Sequence, residues 1–272
     1  MRAARGAISS LEIAMATTTA PTAAAALPPN LSVCLGVSGS VAAVKAPELA
    51  SALLRAGASV DVVLTEPAHA LLQASYRGAQ PWAALEALAA DHAPDGARPS
   101  RPTLRLWRDR DEWDAYRTVG EDAVLHVELA KRNQLLLIAP LCANTLAAAA
   151  LGLCGNLLGS TLRAWYYDLE PAFAAPLQAK FGAHALERPV LVAPAMNTFM
   201  WHQRVTAEHL ETLRRRGVHV VPPVAKRLAC GDTGMGALAA VDDIAAAAIA
   251  LLRAHAEQAA AAAAAGTPVF QP

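Results

Sequence analysis

The sequence predicts an α/β protein, a flavodoxin-like (Rossmann-like) three-layer sandwich around a parallel sheet. Three observations point there. Residues 31–36, 135–139 and 190–193 are nearly unbroken apolar runs, as expected of strands buried on both faces. Stretches with helical spacing alternate with them, the rhythm of βαβ units. Each run also breaks into small and polar residues where it ends: Val-Ser-Gly-Ser at 37–40, Pro-Leu-Cys-Ala-Asn-Thr at 140–145 and Pro-Ala-Met-Asn at 194–197. Open α/β sheets bind ligands just beyond the carboxyl ends of their strands.

Composition narrows the partners. The chain has 272 residues, 54% of them hydrophobic, enough for one sizeable core. Lys plus Arg and Asp plus Glu both number 23, so the formal net charge is zero and nothing argues for nucleic acid. No strongly apolar run reaches the roughly 18 residues of a membrane span. Cys34, Cys142, Cys154 and Cys230 show no CxxC spacing, which points away from a metal site and towards free thiols in a reducing compartment. Residues 1–30 read as a disordered Ala/Thr-rich tail. Arg2, Arg5 and the serines hint at a transit peptide, whereas Glu12 opposes one. The expectation is therefore a cytoplasmic protein, with organelle targeting as the alternative. A single domain is expected over 31–255, with insertions near 76–105 and 166–188 and an alanine-rich tail over 256–272.

Taken in order, Leu31–Gly36 is the first strand, a helix follows over 42–56, and 59–65 is the second strand. The turn between carries Gly36, Gly39, Ser38 and Ser40. Glycine lets a backbone approach a ligand closely, and free amides at a helix start receive phosphate. Gly36-Val-Ser-Gly39-Ser is not the dinucleotide fingerprint GxGxxG, and no acidic residue after the second strand is placed to grip a ribose. A mononucleotide phosphate fits better than NAD, and a plain βα turn is the alternative. Residues 76–105 read as irregular with a short helix near 83–90, and 107–113 as either a ligand-site edge or a strand and turn.

Residues 121–132 form a helix with Leu125 and Leu129 on its buried side. His126 lies beside that seam, as a helix-surface residue or as a proton-transfer group suited to neutral pH. After the central strand 135–139, Cys142, Asn144 and Thr145 either donate to a ligand or cap a helix over 146–153. Residues 152–165 are a loop and helix with Asn156 and Arg163, and 166–188 an excursion from the sheet. Beyond strand 190–193, Asn197 either caps a helix starting near Thr198 or presents its carboxamide to a ligand. A helix over 204–216, a strand over 218–221 and a last helix over 244–255 complete the core. Between them, Gly231, Gly234 and Gly236 argue against a helix or a sheet centre. Cys230 sits at the base of this expected mobile loop with Lys226 and Arg227 beside it, the makeup of a lid or of an inert loop.

These segments closely resemble the flavin-dependent cysteine decarboxylases, in particular the phosphopantothenoylcysteine decarboxylase branch of coenzyme A biosynthesis. The carrying residues are Gly39-Ser-Val-Ala-Ala-Val-Lys45, the His126 helix, Ala139-Pro-Leu-Cys-Ala-Asn-Thr145, the run from Gly152 to Trp165, Pro194-Ala-Met-Asn-Thr-Phe-Met200 and Leu228-Ala-Cys-Gly-Asp-Thr-Gly-Met-Gly-Ala-Leu238. The resemblance covers about 31–75, 106–165 and 189–245. It implies a homotrimer that binds FMN near the subunit interface and converts 4'-phosphopantothenoylcysteine to 4'-phosphopantetheine and CO2. His126 and Cys230 would be catalytic, the cysteine as proton donor. Asn197, Met200, Arg227, Ala229 and Gly231 would face substrate. Gly39, Ser40, Val41, Thr65, Cys142, Ala143, Asn144, Thr145 and Ala195 would hold FMN, with the phosphate on the amides and hydroxyls of 38–41.

In the implied chemistry, oxidation at the thiol side of the substrate creates a sink for the electrons released with CO2. An enethiolate is then reduced and protonated, and the cofactor carries the hard step. Three departures from the family pattern stand out. Cys142 replaces a usual serine, Met235 a common asparagine, and the two insertions are long. Rival readings are a regulatory, phosphatase-inhibiting homologue, a decarboxylase of another cysteine-containing substrate, and a flavin electron carrier. The joint presence of His126, Asn197 and Cys230, and the absence of an acidic tail, favour the decarboxylase.

Overall fold

A computed structural model describes residues 27–95, 101–114, 116–227 and 233–268. Its main sheet has six parallel strands in the order β3-β2-β1-β4-β5-β6. The strands are β1 Ser32–Val37, β2 Ser59–Leu64, β3 Leu104–Arg108, β4 Leu135–Leu141, β5 Val190–Pro194 and β6 His219–Val220. This is a doubly wound order whose direction of winding reverses between β1 and β4. That reversal opens a crevice at their carboxyl ends.

Alternation along the strands divides the core. Val33 and Leu35 of β1, Val60 and Val62 of β2, and Leu135 and Leu137 of β4 face one helical layer. This layer contains α1 Ala46–Arg55, α2 Glu66–Gln73, α3 Pro81–Asp91 and the last helix, Val241–Ala264. Cys34, Val63, Leu136 and Ile138 face the other. That layer holds α5 Leu125–Arg132, α6 Ala143–Leu151, α7 Leu157–Arg163 and α10 Arg204–Arg215. Three shorter or peripheral helices are α4 Asp111–Asp114, α8 Pro171–Phe181 and α9 Thr198–His202, and the last helix is α11. Leu35, Leu135, Leu136 and Leu137 are fully buried, so the centre of the sheet is dry on both faces.

Several elements differ from the sequence-based expectation for identifiable reasons. The expected helix over 42–56 splits into a 3-10 turn, Val41–Lys45, and α1, whose start carries Pro47. The α2 helix was not expected. Its start signals are present, with Thr65 as a side-chain cap to Ala68 N–H and Pro67 in the first turn, but eight residues are too few to reveal a helical period clearly. The expected helix over 121–132 begins only at Leu125, because the Asp122 carboxylate accepts from Arg117 and Thr118 N–H and closes a turn instead. Within the expected insertions, α3 buries Leu85 and α8 buries Ala174, and β3, which starts as the first insertion ends, completes the sheet edge. The alanine tract extends α11 to Ala264, as alanine's high helix propensity favours.

The glycine-rich segment after 224 departs most. Gly234 and Gly236 lie in β8 Thr233–Ala237, which pairs antiparallel with β7 Val224–Arg227. Glycine here supplies close approach, not looseness. A Cβ on Gly234 would meet Thr198 Oγ1 at 2.7 Å, and one on Gly236 would collide with the carbonyl oxygen of Met196. Gly236 also has φ +125°, and its carbonyl accepts from Met196 N–H at 2.9 Å. The hairpin is thereby fastened onto the segment that follows β5.

A cavity at the switch point and a histidine outside it

The ends of β1, β4 and β5 and the β7–β8 hairpin enclose a cavity of about 1380 Å³. Gly39, Ser40 and Val41 line it from the first strand, Cys142 and Ala143 from the fourth, and Ala195, Met196, Asn197 and Met200 from the fifth. Lys226 and Gly236 reach it from the hairpin. Its position is the crevice that the strand order creates, and its size exceeds the roughly 300–1,000 Å³ of ordinary ligand sites.

Each wall is set by local bonding. Ser38 is fully buried. Its hydroxyl donates to Pro140 O at 2.7 Å and accepts from Cys142 N–H at 2.8 Å, tying β1 to the end of β4. This corrects the expectation that its hydroxyl is offered to a phosphate: it is a strut. Ser40 caps the 3-10 turn through Ala42 N–H at 3.4 Å. The N–H groups of Gly39 and Val41 make no hydrogen bond to the described residues and stand at the cavity wall. A Cβ on Gly39 would press on Pro67 at 2.6 Å, so the chain passes close to α2 here. Cys142 caps α6, its sulfur accepting from Thr145 N–H at 3.5 Å, and also lines the cavity. Asn197 caps α9, its side-chain oxygen accepting from Phe199 N–H at 2.8 Å, and the residue also lines the cavity. Met200 is 43% exposed and forms part of the mouth.

Other expected site residues stand apart. Thr65 is buried and spends its hydroxyl on the α2 cap. Asn144 and Thr145 line a separate cavity of about 240 Å³ between α6 and α7, together with Asn156 and Gly159. Arg227 ends β7, while Ala229, Cys230 and Gly231 lie outside the described residues. The described part of the hairpin packs on the Met196–Thr198 segment through Gly234 and Gly236.

His126 does not line the cavity of its own chain. It opens α5, and its Nδ1 lies 2.7 Å from Glu112 Oε1, while its backbone N–H donates to Glu112 Oε2 at 3.2 Å. Glu112 is nearly buried and the imidazole is 26% exposed. Such a carboxylate holds the proton on Nδ1 and leaves Nε2 as the acceptor. Sequence reading missed Glu112. The charged Trp107–Trp113 run marked the region, but only the packing of α4 against α5 selects the residue.

The same block is anchored from below. Asp61 of β2 is buried and accepts from Arg132 Nε and Nη2 at 2.8 Å, from Asn133 Nδ2 at 2.9 Å and from Trp107 Nε1 at 2.9 Å. Arg188 donates to the carbonyls of Ala130, Lys131 and Asn133 at the end of α5. Asp109 receives Leu157 N–H at 3.0 Å, and burial raises its carboxyl above the usual range. Among the described residues no cluster of three or more His, Cys, Asp or Glu could hold a metal ion.

A profile of the Flavoprotein family matches residues 25–253. Among proteins of known function, a phosphopantothenoylcysteine decarboxylase from Oryza sativa subsp. japonica is 45% identical over 162 residues, 58% of this chain and 64% of that protein. The chain thus matches just under two thirds of the rice protein's length. A Mus musculus protein of the same name is 36% identical over 224 residues, 82% of this chain and 88% of the mouse protein. Among solved structures, the FMN-binding protein AtHal3 superposes with a TM-score of 0.57 at 34% identity, covering 80% of this chain and 94% of that one.

Proposed function

Because the chain belongs to the Flavoprotein family, we propose that it binds FMN and decarboxylates 4'-phosphopantothenoylcysteine to 4'-phosphopantetheine and CO2. One observation carries the reading: the switch-point cavity gathers Ser40, Cys142, Ala195, Asn197 and Met200 from three strand ends under the β7–β8 hairpin. The residues fit a flavin mononucleotide. Unpaired amides at Gly39 and Val41 suit a phosphate, and Ala143, Ala195 and Met196 offer an apolar wall for a ring system.

Bound FMN supplies the reversible two-electron oxidation that gives the electrons released with CO2 a sink. The chain supplies position and protons. Asn197, which caps α9 at the cavity wall, is the group assigned to the substrate carboxylate. Lys226 adds a cation at the same wall. The hairpin excludes water, and the Cys230 thiol donates the final proton. His126, held by Glu112, acts as a base through Nε2.

Since His126 stands off its own cavity, it serves the cavity of a neighbouring copy in a closed homotrimer with FMN near the interface. A cytoplasmic reaction is part of the proposal; among the described residues no helix is long and apolar enough to cross a membrane.

The test is direct. The purified protein is examined for a flavin spectrum, then given 4'-phosphopantothenoylcysteine while CO2 and 4'-phosphopantetheine are followed. Turnover in the parent, its loss in His126→Asn, and an enethiol product accumulating with Cys230→Ser are the expected results. A protein that cannot take up FMN sinks the proposal.

A further inference from the structure

The cavity does not end where the proposed chemistry does. It runs on along the 3-10 turn and α1 to the turn between α2 and α3, where Lys45, Arg55, Tyr76 and Arg77 line it. We propose that this outer arm is an anion subsite, with Arg77 and Lys45 as its cations, that selects substrates carrying a phosphate monoester at the end remote from the reacting thiol. This deepens the proposed decarboxylase reading and rests on it.

Three observations support the assignment. The first is placement. The Lys45 ammonium and the Arg77 guanidinium lie 5.9 and 5.2 Å from the centroid of one ring, that of Tyr76. Two cations thus share one half-buried aromatic platform on the cavity wall. The second is charge. Lys45 has a counter-ion in Glu48 at 2.8 Å, whereas Arg77 forms no ion pair among the described residues. Lys45, Arg55, Arg77 and Lys226 face only Glu48 and Asp242 across the cavity, leaving its lining net positive in a chain of zero net charge.

The third is the backbone. Tyr76 and Ala79 exchange hydrogen bonds of 2.9 and 3.0 Å around a two-residue turn with φ +51° at Arg77 and +77° at Gly78. Such turns favour Asn, Asp or Gly at both central positions. An arginine held there in the left-handed region is strained, and strain of this kind clusters at ligand clamps. The turn presents to the cavity a planar guanidinium able to bond a phosphate at two points.

Placement separates this subsite from the flavin phosphate, which is assigned to the Gly39 and Val41 amides. A 3-10 turn rises about 2 Å per residue, so Lys45 lies on the order of 10 Å farther along the groove. The same phosphate chemistry could come from either molecule, and the test distinguishes the sources.

Binding of 4'-phosphopantetheine and of pantetheine to the flavin-loaded protein is measured by calorimetry, in the parent and in Arg77→Gln, Lys45→Gln and Arg77→Gly. The parent should prefer the phosphorylated ligand, and each variant should reduce that preference by about tenfold while leaving pantetheine binding alone. The preference should also weaken with added salt. Arg77→Gly relieves the turn, so a lost preference with an equal or higher melting temperature separates anion binding from a structural role. Flavin retention is measured in every variant. A parent without phosphate preference, variants that keep it, or variants that instead release FMN would overturn the subsite. A preference erased by the variants in a protein that shows no turnover would leave the subsite standing and sink the decarboxylase reading.

Discussion

The switch-point cavity and the His126 block are built by different means. The inner walls of the cavity are strand ends continued by one to three residues. Ser40, Cys142 and Asn197 each follow a buried strand, and each caps the helical segment that comes next. Their positions are therefore dictated by the sheet. His126 is held at a distance from any strand end by one carboxylate on a four-residue helix. Its block is tied to the sheet through Asp61, Arg132 and Arg188. The cavity is a by-product of topology, whereas the histidine site is an assembly of side chains from distant segments. The first should tolerate losses in the second without changing shape, and the chemistry needs both.

The largest effect should come from separating them. His126→Asn should lower kcat by about 10²–10⁴-fold with FMN binding intact. Asn197→Ala should do the same from the cavity side, adding the loss of a helix cap worth about 1 kcal/mol. If the two residues meet only between copies, co-assembling the two inactive variants should restore about a quarter of the parent rate, the share of interfaces in a closed ring that pair two intact contributions. No recovery would place both in one chain's site and break the comparison.

Next in size, Asp61→Ala leaves Arg132 and Asn133 without their buried carboxylate and should destabilise the fold by about 3–5 kcal/mol. Because the ion pair anchors α5, hydrogen exchange should speed up in α5 before it does in residues 195–200. Equal acceleration in both would show that the two regions open as one unit.

The α11 layer has its own pH sensitivity, away from the cavity. His255 of α11 is buried near His184 and Arg188, and burial chiefly, with those two neighbours, pushes its pKa down to about 4. The unfolded chain binds a proton here near pH 6.5 and the folded chain only near 4. Stability should thus be intact above about pH 6.5 and fall as the pH drops towards 4, by at most about 3 kcal/mol. Urea midpoints across that window should flatten in His255→Leu; an unchanged slope would assign the acid sensitivity to other groups.

The smallest effect sharpens the histidine side. Glu112→Gln keeps the shape of the side chain but removes the charge that selects the imidazole tautomer. It should lower kcat by about 10–100-fold, in line with the loss of such orienting partners elsewhere, with little change in KM. Nitrogen NMR of His126 should show the Nδ1 proton preference lost. A rate loss without that spectral change would make Glu112 a packing residue only.

Much of this was legible beforehand. The strands centred on Leu35, Leu137 and Val192 are apolar on both faces, and that pattern belongs to the residues themselves. Asn197 was readable as a cap or a ligand group because one carboxamide can do both. The failures share a cause. Gly234 and Gly236 looked like loop residues, because a sequence shows what glycine permits locally and not that Thr198 and Met196 require the missing Cβ. Ser38 looked like a phosphate donor until its hydroxyl was found spent on Pro140 and Cys142.

By itself, then, the sequence determined the layers, the parallel sheet and the polar strand ends, because hydrophobic periodicity and caps act over a few residues. Only the tertiary structure decided how those polar groups are bonded. It paired Glu112 with His126, set His126 outside its own cavity, and placed Arg77 and Lys45 around one tyrosine ring at the far end. Hydrogen bonds and ion pairs between segments far apart in the chain leave no periodic trace in it, and their geometry exists only once the core has packed.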